Sequence, residues 1–99
     1  MYNTATAFLE ALVEQAITHA FVNLGSDHPG LVEAIAEARA NGRPVPTMIT
    51  CPNEMVALTI AHGHTQIRGQ PQAVIIHVEC GTQALACAVH NAAMARFPC

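Results

Sequence analysis

Apolar positions near the start of the chain recur every three to four residues. Phe8, Leu9, Leu12, Val13, Ala16 and Ile17 fall on one stripe of a helix that Thr4 or Thr6 can cap. The period then changes. AFVNL at 20–24 is a short β-rich run that stops at Gly25, and GSDHPG at 25–30 has the composition of a turn. LVEAIAEARANG at 31–42 returns to helical spacing and ends on Asn41-Gly42, a helix stop signal. RPVP connects to TMITC at 47–51, a second strand. Asn53 can cap a third helix running through Met55, Leu58, Thr59 and His62 toward Ile67. RGQPQ at 68–72 is a loop and AVIIHV at 73–78 is a nearly unbroken apolar strand. ECGT at 79–82 turns the chain into a last helix, QALACAVHNAAMARF, at 83–97.

The order α-β-α-β-α-β-α implies βαβ units. The expected fold class is α/β: an open three-layer arrangement of a parallel sheet from 20–24, 47–51 and 73–78, with helices on both faces. The unbroken run at 73–78 suits a strand covered on both sides, and right-handed crossovers would join the strands. Three loops, 25–30, 51–54 and 79–82, then follow the C-terminal ends of the three strands. This is the edge where open α/β sheets bind ligands.

Composition narrows the field. Ninety-nine residues support one domain with a modest core, and no internal repeat is visible. The chain is 52% hydrophobic and 11% charged, with a net charge of −3, which suits buried secondary structure. Four Lys and Arg make no basic patch and aromatics are few, so nucleic acid is not an expected partner. No apolar run approaches the ~20 residues of a membrane span. The N-terminus has no basic n-region, and Glu10 and Glu14 interrupt its apolar residues, so an intracellular location, cytoplasmic or mitochondrial, is expected. Cys51, Cys80, Cys87 and Cys99 form no Cys-x-x-Cys pair and read as free buried thiols.

Two residues stand out at the expected edge. Glu54 sits just past a Pro at a helix start, with apolar residues around it. It either complements the helix dipole, worth roughly 0.3–1 kcal/mol, or is the working group of a site. His77 interrupts the apolar strand one residue before its end. It is either a buried histidine with a backbone partner or a proton carrier near neutral pH. Glu79 and Cys80 follow at the same edge, but no base for a Cys80 nucleophile is identifiable. His62-x-His64 on a helix places two rings about 200° apart, unable to share an ion easily, and no metal motif is present, so no metal site is expected. Neither GSDHPG nor ECGTQ is a phosphate-cradling motif.

The run from Asn53 to Pro98 resembles the N-terminal, pyrimidine-binding domain of thiamine diphosphate-dependent enzymes, the group that includes acetolactate synthases and benzoylformate decarboxylases. The resemblance rests on Glu54 at a helix start, Ala61 and Gly63-His64 within that helix, and Gly69-Gln70-Pro71. It continues through the strand 73–78, Gly81-Thr82, and an Ala/Asn-rich helix ending at Phe97-Pro98. It covers about residues 8–98. It implies thiamine diphosphate as cofactor, with Glu54 hydrogen-bonded to N1′ of the aminopyrimidine and shielded from water. The imino tautomer that this favours takes the proton from the thiazolium C2, which then adds to a 2-oxo acid or aldehyde carbonyl. By the same resemblance Gly81 and Thr82 are cofactor-side residues, and His77 serves proton transfers on the substrate, as in the benzoylformate decarboxylase branch. A second subunit, in a dimer or tetramer, would complete the site.

The chain departs from that pattern in its first loop. The usual Gly-x-Pro-Gly is replaced by Gly25-Ser26-Asp27-His28-Pro29-Gly30, so Ser26, Asp27 and His28 are candidates on the substrate side. The family's diphosphate- and Mg²⁺-binding Gly-Asp-Gly…Asn-Asn pattern belongs to a C-terminal domain and does not occur in residues 1–99. Residues 1–99 therefore read as a partial, truncated pyrimidine-binding domain, inactive alone. Two other readings stay open: a non-catalytic α/β interaction module pairing through the Ala-rich helix 83–97, and an unrelated flavodoxin-like ligand-binding domain.

Overall fold

The computed structural model describes residues 2–96. It contains helix α1 (Thr4–Glu14), strand β1 (His19–Val22), α2 (Pro29–Ala40), β2 (Thr47–Thr50), α3 (Glu54–Arg68), β3 (Ala73–Ile75), α4 (Val78–Ala84) and α5 (Ala86–Ala95). The three strands form one parallel sheet in the order β2-β1-β3, as the alternation of elements predicts.

Register assigns the two faces. Phe21 lies opposite Ile49 and Val74, while Ala20 lies opposite Met48 and Ala73. Side chains alternate along a strand, so these two sets point to opposite sides. On one side Phe21 packs with Cys51, Ala57 and Ala61, and Val56 and Val74 close over them. Here α3 lies on the sheet, and its alanines let the two backbones approach. On the other side Leu9 of α1 meets Ala34 and Ile35 of α2, with Leu31, Val45 and Met48 against them. Helices therefore cover both faces.

The α3 start is set by Asn53, whose side chain accepts a hydrogen bond from the Val56 N–H at 2.9 Å. Gly69, at φ 73°, closes the other end of α3 in the left-handed conformation that favours glycine. The first helix is capped by Asn3, whose side chain accepts from the Thr6 N–H, and Thr6 is buried. Asn3 lies one residue before Thr4, so it occupies the cap position that Thr4 or Thr6 was expected to fill.

The element boundaries differ from the sequence pattern at several places: α1 stops at Glu14, before Ala16 and Ile17, β1 runs His19–Val22 and not 20–24, α2 starts at Pro29 and ends at Ala40, β2 ends at Thr50, and the largest differences are at the C-terminal end. The third strand ends at Ile75, three residues before Val78. Among the described residues its ladder partner is β1, which ends at Val22 opposite Ile75, so Ile76 and His77 have no strand residue there to pair with. Asn23 delivers the last bond, N–H to the Ile75 carbonyl at 3.0 Å. ECGT is not a turn: it lies inside α4, where the Thr82 hydroxyl donates to the Val78 carbonyl at 3.0 Å. The last helix is divided at Leu85. The bonds Leu85 N–H to Gly81 carbonyl and Val89 N–H to Leu85 carbonyl continue on either side, so the division is a kink. The expected end of that helix at Phe97-Pro98 lies outside the described residues.

Among the described cysteines all are free, but only Cys51 is buried; Cys80 and Cys87 are exposed, contrary to the expectation of buried thiols. The surfaces of α4 and α5 that carry Cys80 and Cys87 face away from the two core clusters, so burial there was over-read from the apolar composition. Cys99 lies outside the described residues. No helix among the described residues is long and apolar enough to cross a membrane.

Candidate functional site

Parallel strands place the C-terminal ends of β1, β2 and β3 at one edge. Asn23 ties the three exits together. Its backbone N–H bonds to Ile75, and its side-chain Nδ2 donates to the Cys51 carbonyl at 3.4 Å. The Cys51 N–H in turn donates to the Val22 carbonyl at 2.9 Å. No sequence motif marked Asn23. Its position, polar and directly after an apolar strand, was the available signal.

Glu54 opens α3 directly after the β2 exit and is half-buried. Its carboxylate lies against Gly81: a Cβ built on Gly81 would sit 3.5 Å from the Glu54 Oε2 and 3.2 Å from the Ile76 Cβ. Among the described residues no side chain hydrogen-bonds to that carboxylate. Gly81 is buried, and its N–H donates to the His77 carbonyl at 2.9 Å. Glu54 and His77 thus meet through one glycine. Thr82 is exposed with its hydroxyl tied to its own helix, so it joins the site by proximity in the chain only.

His77 belongs to a second, wetter cluster. Its ring packs against Gly25, so that a Cβ at position 25 would clash with its Cγ, Nδ1 and Cδ2. The His77 Nδ1–H donates to Asp27 Oδ1 at 2.6 Å. A carboxylate only accepts, so this bond puts the proton on Nδ1 and leaves Nε2 as the nitrogen able to accept one. The bond from His77 holds the Asp27 carboxyl below its ordinary value. Next to it, the Gly25 N–H donates to His28 Nδ1 at 3.1 Å, and the same His28 nitrogen is 3.0 Å from Asp27 Oδ1. Ser26 is exposed in this loop.

Sequence-predicted residues therefore gather as two adjoining groups: Glu54 with Gly81, and Asp27, His28 and His77 on Gly25. Glu79 and Cys80 are exposed on α4, with the Cys80 thiol 3.7 Å from the His77 carbonyl. His62 and His64 lie on α3 and belong to no three-residue metal-ligating group among the described residues. A cavity of about 270 Å³ lies elsewhere, between α1 and α2, lined by Leu9, Val13, Ala34 and Arg43 among others. It contains no residue of the strand edge.

A parallel α/β domain that presents a half-buried acid at a helix start on its C-terminal edge has the layout of a ligand-binding α/β domain. The family is specific: the model of the thiamine pyrophosphate enzyme N-terminal TPP binding domain matches residues 2–99. The chain belongs to that family. No match was found among curated proteins or among solved structures.

Proposed function

We propose that residues 1–99 form one domain that supplies the pyrimidine side of a thiamine diphosphate site, in an enzyme of the acetolactate synthase and benzoylformate decarboxylase group that decarboxylates or carboligates 2-oxo acids. The observation that carries this reading is the Glu54 carboxylate: half-buried, pressed on Gly81, and with no side-chain partner among the described residues. A carboxylate that is partly shielded from water and has no side-chain partner is open to a ligand that shares a hydrogen bond with it. An aminopyrimidine nitrogen that hydrogen-bonds to a carboxyl is such a ligand. When bound, the cofactor supplies a thiazolium carbon that adds to the substrate carbonyl.

The chain's own residues then have distinct tasks. Glu54 holds the pyrimidine and shares a proton with it. Gly81 leaves room for the carboxylate where a Cβ would crowd it. His77, its tautomer fixed by Asp27, accepts or returns a proton at Nε2. Ser26 and His28 lie on the substrate side.

The diphosphate and its Mg²⁺ are held elsewhere in the assembly, and a second subunit closes over Glu54. Exposed Met55 and Ile60 line a shallow apolar depression on α3 with Asn53, Val56 and Thr59, next to but not including Glu54; this supports a partner surface there. The alanines of α5 support pairing through that helix less well. Ala88 and Ala92 are already buried within the chain, where α5 packs on α3.

The test combines the chain with a complementary diphosphate-binding domain and follows 2-oxo acid decarboxylation. Glu54→Gln is expected to lower kcat by about 10²–10⁴-fold, the usual worth of a positioned proton-transfer group. The 99-residue chain alone is expected to show no turnover. An unimpaired Glu54→Gln enzyme would overturn the role given to this carboxyl.

A further inference from the structure

The geometry points to a transition-metal site at the mouth of the edge, formed by Asp27, His28 and His77 and suited to Zn²⁺. One ligand atom from each of these residues lies within 4.8 Å of the others. Asp27 Oδ1 is 2.6 Å from His77 Nδ1 and 3.0 Å from His28 Nδ1. In a tetrahedral Zn²⁺ site with bonds of about 2.0–2.1 Å, neighbouring ligand atoms are roughly 3.3 Å apart. The Asp27 contacts must therefore open by less than about 1 Å, and the two histidine nitrogens, within 4.8 Å, close by at most about 1.5 Å, to admit the ion. Asp27 is exposed and on a loop, and the His77 side chain is 31% exposed, so both can give that much.

The chemistry of the set favours one kind of ion. Two imidazoles and one carboxylate suit Zn²⁺, Co²⁺ or Ni²⁺, whereas Mg²⁺ wants octahedral oxygen and keeps its waters. Binding at His77 Nδ1 moves the proton of the neutral ring to Nε2, so no proton need be lost. At His28 the ion replaces the Gly25 N–H on Nδ1, and that N–H is in a loop that water can reach. Three protein ligands leave a fourth position open for water or a substrate oxygen. Sequence spacing conceals the set, because His77 is 50 residues from Asp27.

Ion binding here does not depend on the thiamine reading. Its consequence does: in the assembled enzyme an ion would occupy the nitrogen and carboxylate that fix the His77 tautomer, and so inhibit.

The experiment is calorimetric titration of Zn²⁺ into the tag-free 99-residue chain, repeated with Co²⁺ and read by visible absorption. One equivalent is expected to bind, to survive excess Mg²⁺, and to weaken by about tenfold or more in Asp27→Asn and in His77→Gln. Ser26→Ala, a neighbour outside the set, is expected to bind as the parent does. Circular dichroism melts of each variant check folding, and Asp27→Asn serves alone if His77→Gln fails to fold. Failure to bind, binding unchanged in the variants, or a thiolate-to-Co²⁺ charge-transfer band from Cys80 or Cys87 would overturn the site. So would binding that moves to His19 and His64, whose rings lie 5.2 Å apart.

Discussion

Gly25→Ala adds a single methyl at the point where the His77 ring rests on the backbone. The new Cβ would overlap the imidazole itself, with Cγ, Nδ1 and Cδ2 all in its path. Something has to move. The ring is the flexible partner, since its side chain is 31% exposed and can swing toward solvent. Overpacking typically costs about 1–3 kcal/mol, and a ring with an outward path belongs at the lower end. About 1 kcal/mol in a domain of this size lowers Tm by about 4–8 °C.

A purely steric change would stop there. This one also breaks the bond from His77 to Asp27, so it carries a pH signature. The Asp27 carboxyl titrates below its ordinary value of 3.8 in the folded chain. A depressed carboxyl stabilises the fold above its unfolded value and loses that contribution as pH falls through the folded one. The gap in Tm between parent and Gly25→Ala is therefore expected to be full at neutral pH and to narrow below about pH 4. Carbon-detected NMR should show the Asp27 carboxyl titrating at a higher pH in the variant. If the Asp27 resonance titrates alike in both proteins, His77 does not rest on Gly25 and the contact is refuted.

Other variants probe what supports the edge. Asn53→Ala removes the cap that positions Glu54 and is expected to cost ~1 kcal/mol, read as a lower urea midpoint. Gln72→Ala strips one buried acceptor from the Thr18 and His19 N–H groups and the Thr18 hydroxyl. With the two N–H groups left unpaired (the Thr18 hydroxyl keeps its contact with His19 Nδ1), a loss of about 1–3 kcal/mol is expected in the same titration; no loss would show that water replaces the amide. Phe21→Ala empties the centre of the cluster beneath α3 and is expected to cost about 3–5 kcal/mol, which for a small domain can prevent folding.

The sequence pattern revealed β1 because it is buried between helix faces, so its apolar run has a single explanation, and it revealed β2, a largely exposed edge strand, through its β-prone Thr and Ile residues. It also placed Glu54, because a cap residue and an acid in the next position report a helix start from local chemistry alone. It failed at the third strand for a non-local reason. Ile76 and Val78 are as apolar and β-prone as Val74, but whether they pair depends on where β1 ends, and β1 ends at Val22. The alternation of elements already put the 25–30 loop and His77 at one edge, but the particular Asp27–His77 contact was not legible for the same reason. Each residue was singled out, but only the β1-to-β3 neighbour relation brings positions 27 and 77 together. Cys80 and Cys87 show the opposite error: composition suggested burial, while position on the outer sides of α4 and α5 exposes them.

Local rules are broken most sharply at Val78. It has φ 42°, a conformation that a β-branched side chain strongly resists. Such residues persist only where their surroundings over-determine them, and they cluster at functional sites. Here the surroundings are identifiable. The chain must leave β3 at Ile75, lay His77 on Gly25, and enter α4 within one turn so that Gly81 reaches Glu54. An ordinary helical φ at 78 would continue the path in another direction and separate the two groups. Val78→Gly relieves the torsion, so it need not destabilise the fold greatly, but it releases the link between His77 and Gly81. The expected result is a near-parental Tm with a weakened Asp27–His77 bond, seen as an Asp27 carboxyl that titrates closer to 3.8. A lower Tm with Asp27 unchanged would mean that the strained residue serves packing alone, and that the juxtaposition of His77 with Glu54 is fixed by other contacts.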